Sequence, residues 1–216
     1  MKGYVITIKQ LDESVRVAQR CIDSAKSQLE VEMFDAFTPQ DNPDKLFEKE
    51  GLPTRYFNEM GSKRANCMAA FFSHYSLWKK CDELNEEIYI FEHDAVVKGN
   101  LPPEFLMYQG CISIGQPSYG KFNTPTKIGV GPLVSKTYFP GAHAYRIKPS
   151  AARIMIEVAK DFAGPTDVFL RENLFHFLEE YYPWPVIARD TFTTIQKPLG
   201  CSAKHNYGET YEILNV

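Results

Sequence analysis

Two carboxylates close a short apolar run in the segment Glu87-Ile88-Tyr89-Ile90-Phe91-Glu92-His93-Asp94-Ala95-Val96-Val97. The run is β-prone, and side chains two apart in an extended segment share a face. Glu92 and Asp94 are therefore expected to converge while His93 points away. A buried strand opening at its carboxyl end into such a pair suits ligand binding, because open α/β sheets take ligands outside the carboxyl ends of their strands. Two oxygen donors there suit a hard divalent cation that carries substrate phosphates. A strand that merely runs into a polar turn reads these residues equally well, so the surrounding elements have to decide.

Those elements open as strand, helix, strand. Tyr4 to Ile8 is β-branched and aromatic. Asp12 can cap a helix with apolar positions Val15, Ala18, Ile22, Ala25 and Leu29, and Val31 to Phe37 alternates as a second strand. Such an opening starts an α/β sheet. Residues 38–59 are polar and proline-bearing, a surface excursion with at most a short helix at Asp44 to Glu50. Cys67, Phe71, His74, Trp78 and Cys81 fall on one face of a long helix that runs to about Leu84. Lys63 and Arg64 lie at its start, where free backbone N–H groups already favour an anion, so a diphosphate or a solvated basic pair fits there. His74, on the apolar stripe, is expected to support the core or the site from behind.

After the acidic strand, Glu104 to Tyr108 reads as a short helical piece and Cys111 to Gly115 as a strand. Residues 116–140 are rich in Gly, Pro, Ser and Thr, too long for a plain connection. With Tyr119, Phe122 and Tyr138 they read as a lid or acceptor-binding region. Gly141 to Ile147 follows as a strand, with His143 packed in the sheet. Pro149 then sits in the first turn of a helix with Ile154, Met155, Val158 and Phe162 on its buried face. Gly164-Pro165 ends that helix and Thr166-Asp167 begins another, periodic at Val168, Leu170, Leu174, Phe175 and Leu178 and stopped by Pro183. Trp184 to Ala188 is extended.

The 216 residues suit one domain with a sizeable core, and 44% hydrophobic with 24% charged residues is ordinary for a globular protein. A net charge of -3 leaves no basic footprint for nucleic acid. No apolar run has the length of a membrane span and the start lacks a secretory signal. The expectation is a cytoplasmic protein that meets a membrane surface, if at all, through its substrate. Five scattered cysteines without a C-x-x-C pair read as buried free thiols. The 15 Phe, 12 Tyr and two Trp build a core, and aromatic rings can also pack on a pyranose.

In this order the elements resemble glycosyltransferase family 25, the lipooligosaccharide-type galactosyltransferases, over nearly the whole chain. Tyr4 to Ile8 with Phe34-Asp35-Ala36 is similar to that family's first strand and F-D-A strand. Cys67 through Ser73-His74 to Trp78 is similar to its G-C-x-x-S-H-x-x-x-W helix. Phe91-Glu92-His93-Asp94-Ala95 stands where the family has L-E-D-D, Gly141 to Tyr145 matches G-x-x-A-Y, and Pro165 to Leu170 matches P-x-D-x-x-L. His93 departs from the usual middle acidic residue, and Asn66 stands where glycine is common.

The resemblance implies a GT-A type nucleotide-diphospho-sugar transferase fold, a mixed α/β sheet with a Rossmann-like first half. One domain would span residues 1–216, with residues 1–115 as its donor half and 116–216 as its acceptor side. It implies transfer of galactose, or glucose, from a UDP-sugar to a glycan hydroxyl with inversion, with a lipid-linked acceptor among the candidates. The leaving diphosphate needs a divalent cation, manganese or magnesium, or basic residues. Asp94 is the expected metal ligand, Glu92 supports it or holds the ribose, and His205 is a further ligand. Lys63 and Arg64 serve the diphosphate. The acceptor hydroxyl needs a base, for which Asp167 is expected, although its position also fits a helix N-cap. A non-catalytic glycan- or nucleotide-sugar-binding protein stays open because of His93. For a nucleotidyltransferase, a Gly-rich basic loop is expected after the first strand, and this chain lacks one.

Overall fold

A computed structural model describes residues 1–58, 62–189, 192–197 and 212–216. The chain runs β1 (Lys2–Thr7), α1 (Asp12–Ala25), β2 (Val31–Asp35), α2 (Pro43–Glu50), α3 (Arg64–Leu84), β3 (Ile88–Glu92), β4 (Ala95–Val97), β5 (Cys111–Ser113), β6 (Gly129–Pro132), β7 (Ala144–Ile147), α4 (Pro149–Phe162), α5 (Thr166–Phe169), β8 (Leu178–Tyr182), β9 (Val186–Ala188), β10 (Phe192–Thr193) and β11 (Glu212–Ile213). Seven strands form one mixed sheet in the order β2-β1-β3-β7-β5-β8-β6. β2, β1 and β3 are parallel, as a strand-helix-strand opening requires, whereas β7 runs antiparallel between β3 and β5. That insertion stitches the later part of the chain into the earlier part, so both share one sheet.

Alternation along the central strands feeds a core on each face. Tyr4, Ile6, Ile88 and Ile90 join Trp78, Phe71 and Tyr145 on the α3/α4 side, while Val5, Tyr89 and Phe91 join Ala18 and Cys21 on the α1 side. α3 is the helix most deeply set, with Phe71, Leu77, Trp78 and Cys81 fully buried. Phe71 meets Trp78 and Phe169 edge to face, at centroid separations of 5.7 and 5.3 Å. Such pairs add about 0.5–1.5 kcal/mol each beyond area burial. Cys21, Cys67, Cys81 and Cys111 are buried free thiols, and burial pushes Cys21 and Cys81 up to about 12.

Several expectations are corrected. Glu104 to Tyr108 forms no helix. Its backbone carbonyls and those beside it are instead drawn onto two cations, of which Arg146 is buried. Arg146 donates to the carbonyls of Pro103 and Glu104 at 2.9 and 2.7 Å, and Lys148 to that of Tyr108 at 2.6 Å. The periodic run expected to be one helix from Thr166 to Pro183 breaks after α5, and Leu178 starts β8, parallel to β5. The sheet slot between β5 and β6 overrides the helical spacing, and there Glu180 points inward to accept the backbone N–H groups of Val134 and Ser135 at 2.7 and 2.9 Å. On α4 the buried face is Ala151, Ala152, Met155 and Ala159, with Ile154 and Phe162 largely exposed, because close packing on α3 favours small residues. Asp12 begins α1 rather than capping it. The N-cap is Leu11, and the buried stripe turns to Ser14, Val17, Ala18, Cys21 and Ala25.

Candidate active site

A cleft of about 290 Å³ opens where the parallel strands end. β3 delivers Glu92 as its last residue, and the chain then turns at His93 and Asp94 before β4. The pair is therefore brought together by a turn, not by one face of an extended strand, and Glu92, His93 and Asp94 all border the cleft. β4 fixes that turn by pairing with β9, and the Asp94 carbonyl accepts the Arg189 N–H at 2.9 Å. Asp167, from the first turn of α5, borders the same cleft.

Burial pushes Glu92 up to about 8, reinforced by the negative charge of Asp167. Burial, with the charge of Glu92 next, likewise raises Asp94. Asp94 is only 7% exposed, and its Oδ1 is buried with no hydrogen-bond partner among the described residues. An orphaned oxygen beside a like charge is costly unless a cation shares it. The donor set thus fits a hard divalent ion through Asp94 and Glu92. Among the described residues no group of three or more His, Cys, Asp or Glu is gathered for a metal. His205 lies outside the described residues.

A buried chain of hydrogen bonds holds Glu92 from behind. Trp78 donates its Nε1–H to the Tyr145 hydroxyl at 2.9 Å. That hydroxyl lies 2.9 Å from His74 Nδ1, and His74 Nε2 lies 3.2 Å from Glu92 Oε1. Indole nitrogen only donates, so the Tyr145 proton turns to Nδ1 and the imidazole hydrogen sits on Nε2, facing the carboxylate. Burial lowers His74 to about 3, so this is a bond from a neutral ring and not an ion pair. The expected supporting role of His74 is what the geometry shows.

His93 does not stand where an acidic ligand would. Its Nδ1 is 2.8 Å from Ser14 Oγ, which itself accepts the Ile8 N–H, and its ring packs against Phe192. Burial, with Arg20 nearby, lowers it to about 4. His143, just before β7, is buried beneath two glycines. A Cβ on Gly115 would fall 2.4 Å from its Nε2, and one on Gly141, at φ +84, 2.4 Å from Ser118 Oγ. Its carbonyl accepts the Glu92 N–H at 2.9 Å.

Asp167 is oriented on both oxygens: the Tyr119 hydroxyl donates to Oδ2, and the Val168 N–H to Oδ1 at 2.9 Å. Burial nevertheless leaves its pKa raised. The helix N-cap is Pro165, so Asp167 does not occupy the capping position.

Lys63 and Arg64 do not border the cleft. Arg64 forks onto Asp44 at 2.8 and 3.2 Å, and Lys63 donates to the Leu214 carbonyl and to Asn215, both at 3.0 Å. The start of α3 faces the cleft instead through Ser62, Asn66 and Cys67. Sequence reasoning also missed Arg20, which reaches the carbonyls of Asp94 and Arg189 from α1, and the Thr193–Gln196 stretch on the cleft wall. Neither carries a motif. The aromatic content of residues 116–140 was the signal for Tyr119.

A mixed α/β sheet with a parallel, Rossmann-like first half and its cleft at the strand ends is compatible with a GT-A type nucleotide-sugar transferase fold. The chain belongs to glycosyltransferase family 25: the family model, described as glycosyltransferase family 25 (LPS biosynthesis protein), matches residues 1–112. No curated protein matches the chain significantly. Among solved structures, the CTP:phosphocholine cytidylyltransferase of Streptococcus pneumoniae is similar at 13% identity, covering 87% of this chain and 92% of its own, with a TM-score of 0.39. At that level the likeness bears on neither activity nor ligand.

Proposed function

We propose that the protein transfers a hexose, galactose or glucose, from a UDP-sugar to a hydroxyl of a glycan acceptor, with inversion. The observation that carries this reading is the convergence of Glu92, Asp94 and Asp167 on one cleft beside the start of α3, in a member of a glycosyltransferase family. In a single displacement the acceptor oxygen bonds to the anomeric carbon as the bond to the diphosphate breaks, and the hydroxyl proton passes to a base. Asp167 is that base. Burial raises its basicity, while Tyr119 and Val168 fix the direction of its lone pairs.

Asp94 and Glu92 would hold a divalent cation, manganese or magnesium, which when bound supplies positive charge against the leaving diphosphate. His74, Tyr145 and Trp78 keep Glu92 aimed at the cleft. The start of α3, which borders the cleft, suits the diphosphate better than Lys63 and Arg64 do, since those two cations are engaged elsewhere. No helix among the described residues is long and apolar enough to cross a membrane. We propose that the activity is cytoplasmic, at a membrane surface where the acceptor is lipid-linked.

The test is a thermal-shift screen of nucleotide sugars with and without manganese, followed by UDP release. Stabilisation by UDP-galactose or UDP-glucose, dependent on manganese and followed by turnover, is expected. Binding without turnover on any acceptor would favour the non-catalytic reading.

A further inference from the structure

Tyr119 is a wall between two spaces. One side is the reaction cleft, where its hydroxyl meets Asp167; the other is a separate groove of about 700 Å³. Tyr138, Arg171 and His176 border that groove, and Val168 gives it an apolar edge at 47% exposure. The groove is rigidly built. Tyr138 and Arg171 pair as an antiparallel bridge, flanked by Phe139 N–H to the Leu170 carbonyl at 2.9 Å and Glu172 N–H to the Thr137 carbonyl at 2.8 Å. Lys136 locks the two tyrosine rings, standing 5.2 Å from the Tyr119 centroid and 5.3 Å from that of Tyr138, and donating to the Tyr138 hydroxyl at 3.3 Å.

Two features call for a ligand. The tyrosine rings, 6.3 Å apart and tilted by 37°, offer aromatic surface at the groove. Arg171 borders the groove with its Nε buried and without a hydrogen-bond partner among the described residues. A buried guanidinium N–H left without an acceptor needs a reason, and an oxygen-rich ligand in the groove supplies one. Aromatic faces for the apolar side of a pyranose, with a planar donor for its hydroxyl or acidic oxygens, are the chemistry of sugar recognition.

We infer that this groove is an acceptor subsite, taking a sugar residue of an oligosaccharide one or more units away from the reacting hydroxyl. It rests on the proposed glycosyl transfer, because the shared Tyr119 wall connects the groove to the base. The protein would therefore select acceptors longer than a monosaccharide.

The test measures binding of the whole protein, without donor, to an array of lipopolysaccharide-core oligosaccharides and their component monosaccharides. Arg171→Gln and Tyr138→Ala are assayed beside it, with thermal shift confirming that each is folded. Some oligosaccharide should bind the wild type at least about tenfold more tightly than its terminal monosaccharide, and either variant should erase that margin. Manganese-dependent UDP release with the bound oligosaccharide is measured on the wild type, and in both variants it should fall with the lost acceptor binding. Oligosaccharides bound no better than monosaccharides, or a margin untouched in both folded variants, would overturn the subsite. Absence of UDP release in the wild type would instead count against the transferase reading, so the two failures are distinct.

Discussion

His74 Nε2 stands 3.2 Å from Glu92 Oε1, with the imidazole 1% exposed and its other nitrogen on the Tyr145 hydroxyl. The helix that fills the core and the strand that ends in the site are thereby joined by a neutral, directional bond. Tyr145→Phe keeps the ring but strips the partner from both Trp78 Nε1 and His74 Nδ1. Leaving buried polar groups unpaired costs about 1–3 kcal/mol, so the melting temperature should fall by several degrees. Transfer should fall with it, and the loss should persist at a temperature where the variant is fully folded. Normal turnover there would mean that the chain supports only stability.

The acidic pair makes a pH prediction for the metal-free protein. Glu92 titrates near 8 when folded and near 4.5 when unfolded, and Asp94 is shifted the same way. Between those values the folded state holds more protons, so stability falls as pH rises. His74 and His93, lowered to about 3 and 4 from 6.5, act oppositely but only below about 6.5. From pH 6.5 to 8 the carboxylates act alone among these groups, and thermal stability should decline. Manganese should flatten that decline. An equal slope with and without manganese in thermal melts would speak against cation binding at the pair.

Asp94→Asn separates charge from shape. The amide cannot give a hard cation the negative charge it needs, so manganese-dependent donor binding should vanish in calorimetric titration. The metal-free variant should be at least as stable as wild type at pH 8, because a buried repelled charge has gone. Donor affinity retained at the wild-type level would remove Asp94 from the metal site.

Residues 116–140 should behave as two parts in hydrogen exchange. β6 is paired to β8 and anchored through Glu180, so its bonded amides should be protected with or without ligand. The span 120–127 between Tyr119 and β6 has no regular pairing, and closure over a bound donor should slow its exchange. Equal exchange in both states would make the whole stretch a fixed part of the rim.

Much of this was legible because local pattern and tertiary role agreed. The strand-helix-strand opening, the α3 stripe and the acidic end of β3 each follow from period and residue type. The run from Val168 to Leu178 was misread because five apolar residues fell at helical spacing, whereas a vacant place beside β5 made Leu178 a strand residue. Lys63 and Arg64 were misplaced for a related reason. Their partners, Asn215 and Asp44, lie 152 and 20 residues away, and no local pattern encodes such pairings. Asp167 was found through the P-x-D-x-x-L resemblance, but its Tyr119 partner comes from a loop whose path only tertiary packing sets.

Asp167 is the residue on which the proposed mechanism turns. Asp167→Asn keeps the side-chain shape, so the fold and donor affinity should stay near wild type. An amide cannot accept the acceptor proton, so the transfer rate from UDP-sugar should fall by about 100-fold or more. The decisive measurement is that rate, taken with donor affinity and melting temperature on the same preparation. A lost rate with both other values intact is the predicted result. Near-normal transfer would contradict the account and move the base elsewhere in the cleft.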